Sequence, residues 1–248
     1  EEIKKAYELV YENYIEKKFC NLNYHKMRIF LFDSLTTTRT FIAKDGENVL
    51  ATTTLVFDSP IGLPSEEIYK DRLETLRNQG KKICEISKLS TQRVLGAKAL
   101  AILPLLFRSC WLYAKEINPH NHFCIMVEPQ NEGFYKKYYY FENHSEIRLD
   151  HKANEASSIL LEMPIDITIE PSLLKNARSN KIYQMHFQDP NCQIILTEFR
   201  EAEANLSKIN ISLLAPRKNR TLALSGEEKK YLEFKFFIIR YNLEQISK

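Results

Sequence analysis

Residues 58–90 read DSPIGLPSEEIYKDRLETLRNQGKKICEISKLS, and the rest of the chain is organised around this stretch. It holds a strand end and a loop broken by Pro60, Gly62 and Pro64. A charged helix follows, opened by Ser65 with Glu66 and Glu67 and closed by Gly80, and then a strand. That strand, within 81–91, is dense enough in apolar residues to lie inside a sheet, yet it carries Glu85. An unpaired carboxylate is costly in such a place, so Glu85 has either a partner or a chemical task. The partners offered by the surrounding sequence are Arg72, Arg77 and Lys88.

Working toward the N-terminus, residues 48–57 and 37–44 read as two strands joined at Asp45-Gly46, a hairpin signal. Residues 21–35 carry no clear period and read as irregular chain or a short helix. In 3–18, Ile3, Ala6, Tyr7, Val10, Tyr14 and Ile15 share one helical face. Toward the C-terminus, residues 97–117 predict a mostly apolar helix that Pro104 must kink or start later. A short strand at 122–127 ends at Pro129, and Asn131 can cap a helix carrying Phe134, Tyr135 and Tyr138. Strands at 141–150 and 157–163 complete the first unit. The order is that of a mixed α/β protein with one main sheet covered by helices. Beyond Met163 the texture changes to helices at 172–178 and 192–206, a basic loop at 215–220 and a final helix from Glu227. We therefore expect a first domain over 1–163 and a helical C-terminal extension over 164–248.

Bulk properties narrow the function. A net charge of +3 over 248 residues is too small to imply a nucleic-acid partner, and no apolar run is long enough to span a bilayer. The five cysteines contain no C-x-x-C pair, which argues against a disulfide framework or a zinc site and for reduced thiols in a cytoplasm. His120 and His122 stand at i, i+2 without further ligands that would make a metal site, and there is no phosphate-binding glycine motif of the nucleotide-binding folds.

The order of elements resembles the Gcn5-related N-acetyltransferase fold. Within it, the chain looks most like the long-chain N-acyl amino acid synthases, relatives of the acyl-homoserine lactone synthases. YELVYENYIEKKF at 7–19 resembles the family's opening helix, and AKDGENVLATTTLVFDSPIGLP at 43–64 its hairpin and loop. CEISKLS at 84–90 resembles the E-x-S-R strand with Lys88 in place of arginine, and EPQNEGFYKKYYYFE at 128–142 the N-P-x-H-x-x-F-Y segment, with Tyr140 where a glycine is usual. The resemblance covers about residues 7–163. It implies transfer of a long-chain acyl group to the amine of an amino acid or similar acceptor. The donor is a co-substrate rather than a tightly bound cofactor: the acyl-phosphopantetheine of an acyl carrier protein, or acyl-CoA. The segment QRVLGAK at 92–98 is a partial match, with one glycine, to the R/Q-x-x-G-x-G/A pyrophosphate turn usual in acetyl-coenzyme A enzymes of this fold, which suits a donor with a single phosphate and also an altered coenzyme A site.

Acyl transfer from a thioester needs a neutral amine, a polarised carbonyl and a proton for the leaving thiolate. Glu85 is the candidate base, its pKa raised by partial desolvation. Tyr135 falls where acyltransferases of this fold often place a tyrosine that protonates the departing sulfur; alternatively it packs in an aromatic face with Phe134, Tyr138, Tyr139 and Tyr140. Asp58 either binds the acceptor's amino group or only begins the Ser-Pro turn. Ser87 shares Glu85's face by alternation, and a bulge would bring Lys88 there to fix an acidic group. Leu89, Ser90 and Thr91 would then meet the pantetheine amides along the strand, with Gly96, Ala97 and Lys98 at the phosphate. Leu103, Leu106, Phe107 and Cys110 either line an acyl channel or form core, and Arg93, Lys98 and Arg108 could face an acidic carrier protein. The competing readings are a catalytically silent acyltransferase-like module that binds carrier protein or lipid, and an acetyl-CoA-dependent N-acetyltransferase.

Overall fold

The hairpin forms as its sequence dictates. In the computed structural model, which describes residues 1–166, 192–206 and 236–240, β1 (Arg39–Asp45) and β2 (Asn48–Phe57) pair antiparallel, with Gly46 in the left-handed conformation that the turn requires. The other strands are β3 (Ile83–Thr91), β4 (His122–Val127), β5 (Glu142–Asn143), β6 (Arg148–Asp150), β7 (Ala156–Pro164) and β8 (Phe236–Arg240). They assemble in the order β5-β7-β4-β3-β2-β1-β8, with β6 pairing β7. The β3–β4 and β1–β8 pairs are parallel, and the remaining pairs are antiparallel.

Among the described residues, five α-helices cover this sheet. Helices α1 (Glu2–Glu16) and α2 (Glu66–Asn78) lie on one face, where Ala6 and Leu9 meet Ile42 and Val49, and Tyr69, Leu73 and Leu76 meet Val56, Ile83 and Cys124. Helices α3 (Ala99–Leu112), α4 (Glu132–Tyr139) and α5 (Cys192–Leu206) cover the other face, over Phe41, Leu55, Phe57 and Ile86. Pro104 lies inside α3, which gives way to a wider turn at Tyr113–Ile117. Leu106, Phe107 and Cys110 are buried in this second core.

Three expectations change. Residues 141–150 form two short pieces, β5 and β6, because Asn143 turns the chain: its side-chain oxygen accepts from the Ser145 N–H at 2.9 Å. The final helix expected from Glu227 is overturned at Phe236–Arg240, a β8 strand lying parallel to β1; a run of Phe and Ile residues suits a sheet edge better than a helix. Arg108, expected near the surface, is buried. The helix at 192–206 is α5, and it shares the core: Ile195, Leu196 and Phe199 pack with Phe41 and Tyr113, while Arg39 forks Glu203 at 2.7 and 2.9 Å. The expected helix at 172–178 and basic loop at 215–220 lie outside the described residues.

Two irregularities prepare the site. Parallel pairing of β3 with β4 is confined to Ile83–Glu85 against His122–Cys124; past these residues the strands diverge. On its other side β3 bulges against β2: Ser87 pairs with Thr54 and Ser90 with Thr52, and Lys88 in between takes φ 53°. The bulge keeps Ser87 and Lys88 on the α1 and α2 face that Glu85 occupies.

Candidate active site

The loop after β2 is held by charges. Arg77 of α2 forks Asp58 at 2.7 and 2.8 Å and Glu66 at 2.8 and 2.6 Å. Glu66 folds over Gly62, where an added Cβ would meet Oε2 at 2.6 Å; with φ +77°, the position demands glycine on both counts. These contacts fix Ser65 at the start of α2. Ser65 does not cap its own helix with its side chain. Its N–H and its Oγ–H instead both donate to Glu85 Oε2, at 2.9 and 2.7 Å.

Glu85 is therefore buried and hydrogen-bonded but not ion-paired. Arg72 is taken by Glu162, Arg77 by Asp58 and Glu66, and Lys88 by Asp33. Burial pushes its carboxyl from an ordinary 4.5 up to about 7, against the two Ser65 bonds and with help from the Glu66 and Asp150 charges. An acid poised near neutrality is suited to proton transfer.

A cavity of about 360 Å³ opens where β3 and β4 part. Glu85, Ser87, Lys88, Leu89, Ser90, Thr91 and Tyr135 all line it, so seven of the residues singled out in the sequence meet at one place. Its size is that of a small-ligand site. Tyr135 stands on α4 against Phe107, Phe134 and Phe141, and burial raises its phenol well above the ordinary range. Leu103 of α3 also reaches the cavity. Ser90 Oγ is buried with no hydrogen-bond partner among the described residues.

Other assignments are corrected. Asp58 does not line the cavity; it is the turn and ion-pair residue that steadies the loop, since both its oxygens are engaged by Arg77. Lys88 lines the cavity, but its ammonium is buried, bonded to Asp33 and 4.5 Å from the centre of the Tyr7 ring. Burial lowers its pKa, opposed by Asp33, and the acidic group it fixes is the chain's own. Gly96 takes φ 46° in an irregular turn away from the cavity lining, and the side chains of Ala97 and Lys98 lie outside the described residues. Arg93 is exposed and paired with Glu16.

Sequence reasoning missed the polar end of the cavity. Tyr14 from α1, Arg28 from the aperiodic segment and Asp150 from β6 line it beside Glu85. Burial and the neighbouring Asp150 and Glu85 charges, opposed by Arg28, raise the Tyr14 phenol to about 12. Tyr14 was visible only as one position of an amphipathic face, and no local signal marked Arg28 or Asp150. Among the described residues, no cluster of His, Cys, Asp and Glu could hold a metal ion, and no helix is long and apolar enough to cross a membrane.

The family model for N-acyl amino acid synthase FeeM matches residues 5–164. No curated protein matches the chain. Among solved structures, FeeM, an N-acyl amino acid synthase from uncultured soil microbes, aligns with TM-score 0.55 and 21% identity over 65% of this chain and 89% of that one. BjaI, a CoA-dependent acyl-homoserine lactone synthase, aligns with TM-score 0.51 and 12% identity over 71% of this chain and 82% of that one. Both likenesses are of fold.

Proposed function

This chain belongs to the N-acyl amino acid synthase family and has the Gcn5-related fold of an N-acyltransferase; from that premise we propose that it transfers a long-chain acyl group from a carrier-protein thioester to the amine of an amino acid or similar acceptor. The observation that carries this reading is the cavity at the β3–β4 divergence, lined at once by the buried acid Glu85 and by Tyr135. Glu85, with a pKa of about 7, accepts a proton from the incoming ammonium, directly or through a water. The neutral amine attacks the thioester carbonyl and the C–N bond forms; as the C–S bond breaks, the Tyr135 hydroxyl gives its proton to the departing thiolate and is restored by the proton that the new C–N nitrogen sheds on becoming an amide.

The donor arm runs along the part of β3 that β4 does not pair. Backbone groups of Leu89, Ser90 and Thr91, with the partnerless Ser90 hydroxyl, meet the pantetheine amides as an added strand would. Leu103 meets the acyl chain. The turn at 93–98 offers one glycine at positive φ instead of a glycine-rich cradle, which supports a donor with a single phosphate. BjaI was solved with isopentyl-CoA, so acyl-CoA is the second donor to test. In the test, purified chain is incubated with long-chain acyl carrier protein or acyl-CoA and the common amino acids, and products are read by mass spectrometry. N-acyl amino acids that vanish with Glu85→Gln support the proposal. Carrier-protein binding without any such product, or acetylated amines alone, would replace it with one of the competing readings.

A further inference from the structure

Residues 17–31, KKFCNLNYHKMRIFL, hold four cations and no carboxylate, and they form one rim of the cavity, which Phe19, Arg28 and Phe30 line. The tip of the segment faces water. Leu22 is 82% and Tyr24 95% exposed, although both carry apolar surface that burial would stabilise. Hydrogen bonds hold them there. Asn23, between them, donates its N–H to Tyr11 Oη at 3.0 Å; its side chain donates to the Met27 carbonyl at 3.1 Å and accepts from the Met27 N–H at 3.4 Å. Asn154 Nδ2 donates to the Lys18 carbonyl at 2.9 Å and the Arg28 N–H to the Tyr7 carbonyl at 3.2 Å, so both ends of the tip are tied to the body of the protein. Lys18 and Lys26 flank the tip, are exposed, and have no carboxylate partner among the described residues. They take φ 59° and 50°, where glycine would cost less, so an ammonium stands at each turn in spite of the backbone. Lys17, one residue earlier, is paired with Glu128.

We propose that this tip docks the protein on an anionic lipid bilayer, with Leu22 and Tyr24 entering the headgroup region and Lys18 and Lys26 meeting the anionic headgroups. Tyrosine suits that depth, with an apolar ring and a hydroxyl that stays wet. The lysine stems run over apolar surface while their ammonium groups reach the charge. An acidic protein would answer the two cations but leave Leu22 and Tyr24 in water unless it carried a matching pocket, whereas a bilayer surface answers both chemistries at once. With two free cations and two apolar side chains the binding is reversible attachment, not insertion. Docking is independent of the transfer reading above; where that reading holds, it sets the cavity rim at Phe19 and Phe30 against the phase into which a long-chain product partitions.

The test measures partition of the full chain onto vesicles by flotation, with phosphatidylcholine alone against phosphatidylcholine mixed with phosphatidylglycerol, at low and high salt. Wild type should bind the anionic vesicles and lose most of that binding in pure phosphatidylcholine or in high salt. Leu22→Ser/Tyr24→Ser and Lys18→Gln/Lys26→Gln should each lower the partition coefficient by about tenfold or more, with the urea unfolding midpoint unchanged. Tyr24→Trp gives a second readout that needs no loss of binding: its emission, taken against the Trp111 background, should shift to the blue on anionic vesicles and be quenched by brominated lipid chains. Wild type that stays off anionic vesicles, binding that neither double change weakens, or an emission indifferent to vesicles overturns the docking. So does binding to an acyl carrier protein, used as the acidic probe, that both double changes weaken while vesicle binding is nil.

Discussion

Replacing Glu85 by Gln separates the charge of the buried acid from its shape. The Gln oxygen can accept the same two bonds from the Ser65 N–H and Oγ–H, so the loop and α2 keep their anchor. Protonation is what changes. With its pKa raised from 4.5 to about 7, the folded chain retains a proton over that interval that the unfolded chain has already released. The stability contributed by the protonated acid is full below about pH 4.5 and is lost as pH rises through about 7. The displacement corresponds to at most about 3 kcal/mol. Glu85→Gln has no such penalty, because an amide does not ionise. Wild type and variant should match in stability near pH 4, and the variant should be more stable by about 2–3 kcal/mol near pH 8.5, or roughly 4–10 °C in Tm. Urea and thermal unfolding across a pH series measure the difference, and groups common to both proteins cancel. Acyl transfer should fall about 10²- to 10⁴-fold in the same variant. A variant less stable than wild type at pH 8.5, or a difference that does not vary with pH, would refute the raised pKa of Glu85 and with it the tuning of the base assigned to the reaction.

Three further outcomes follow from the same geometry. Tyr135→Phe should lower turnover by about 10²-fold while changing stability by less than about 1 kcal/mol, because no group among the described residues hydrogen-bonds the hydroxyl; single-turnover kinetics with a better thiol leaving group should recover part of the loss. Lys88→Ala should destabilise by about 3–5 kcal/mol by removing the buried cation bonded to the buried Asp33, and the Lys88→Ala/Asp33→Ala pair should cost less than the sum of the single changes in chemical denaturation. Asp58→Asn should lower turnover by several-fold without altering acceptor KM, since Asp58 acts through Arg77 and the loop that presents Ser65; a change confined to KM would restore it to the acceptor site.

Residues 58–90 were legible because each of their devices is local. The Pro-Gly-Pro loop, the Ser65 start, the Gly80 stop and the buried acid can each be read from neighbours in sequence, and the structure places them accordingly. The partner of Glu85 was less legible. Sequence offered three cations, and every one is claimed by another carboxylate, whereas the true partner, Ser65, looked like an ordinary helix cap. The bulge depends on how β2 and β3 register, a non-local property, and it decides that Lys88 turns inward to Asp33. Arg28 lay in a segment with neither period nor motif, and Asp150 at a strand end 122 residues away; only the β6–β7 pairing and the Lys152 carbonyl bring them to one cavity. β8 was misread because an edge strand's partner, here β1, is distant in the chain.

The divergence of β3 from β4 bears on how far such a protein can drift and still work. On the proposed reading, the thioester arm is met by main-chain amides and carbonyls, which every residue except proline supplies alike. Substitutions at Leu89 and Thr91 that keep the strand extended should therefore leave donor recognition largely intact, while proline there should abolish it. A recognition surface built this way tolerates extensive side-chain turnover, and it leaves little trace for a motif to capture. At 21% identity to FeeM, geometry is the more durable record of the shared architecture.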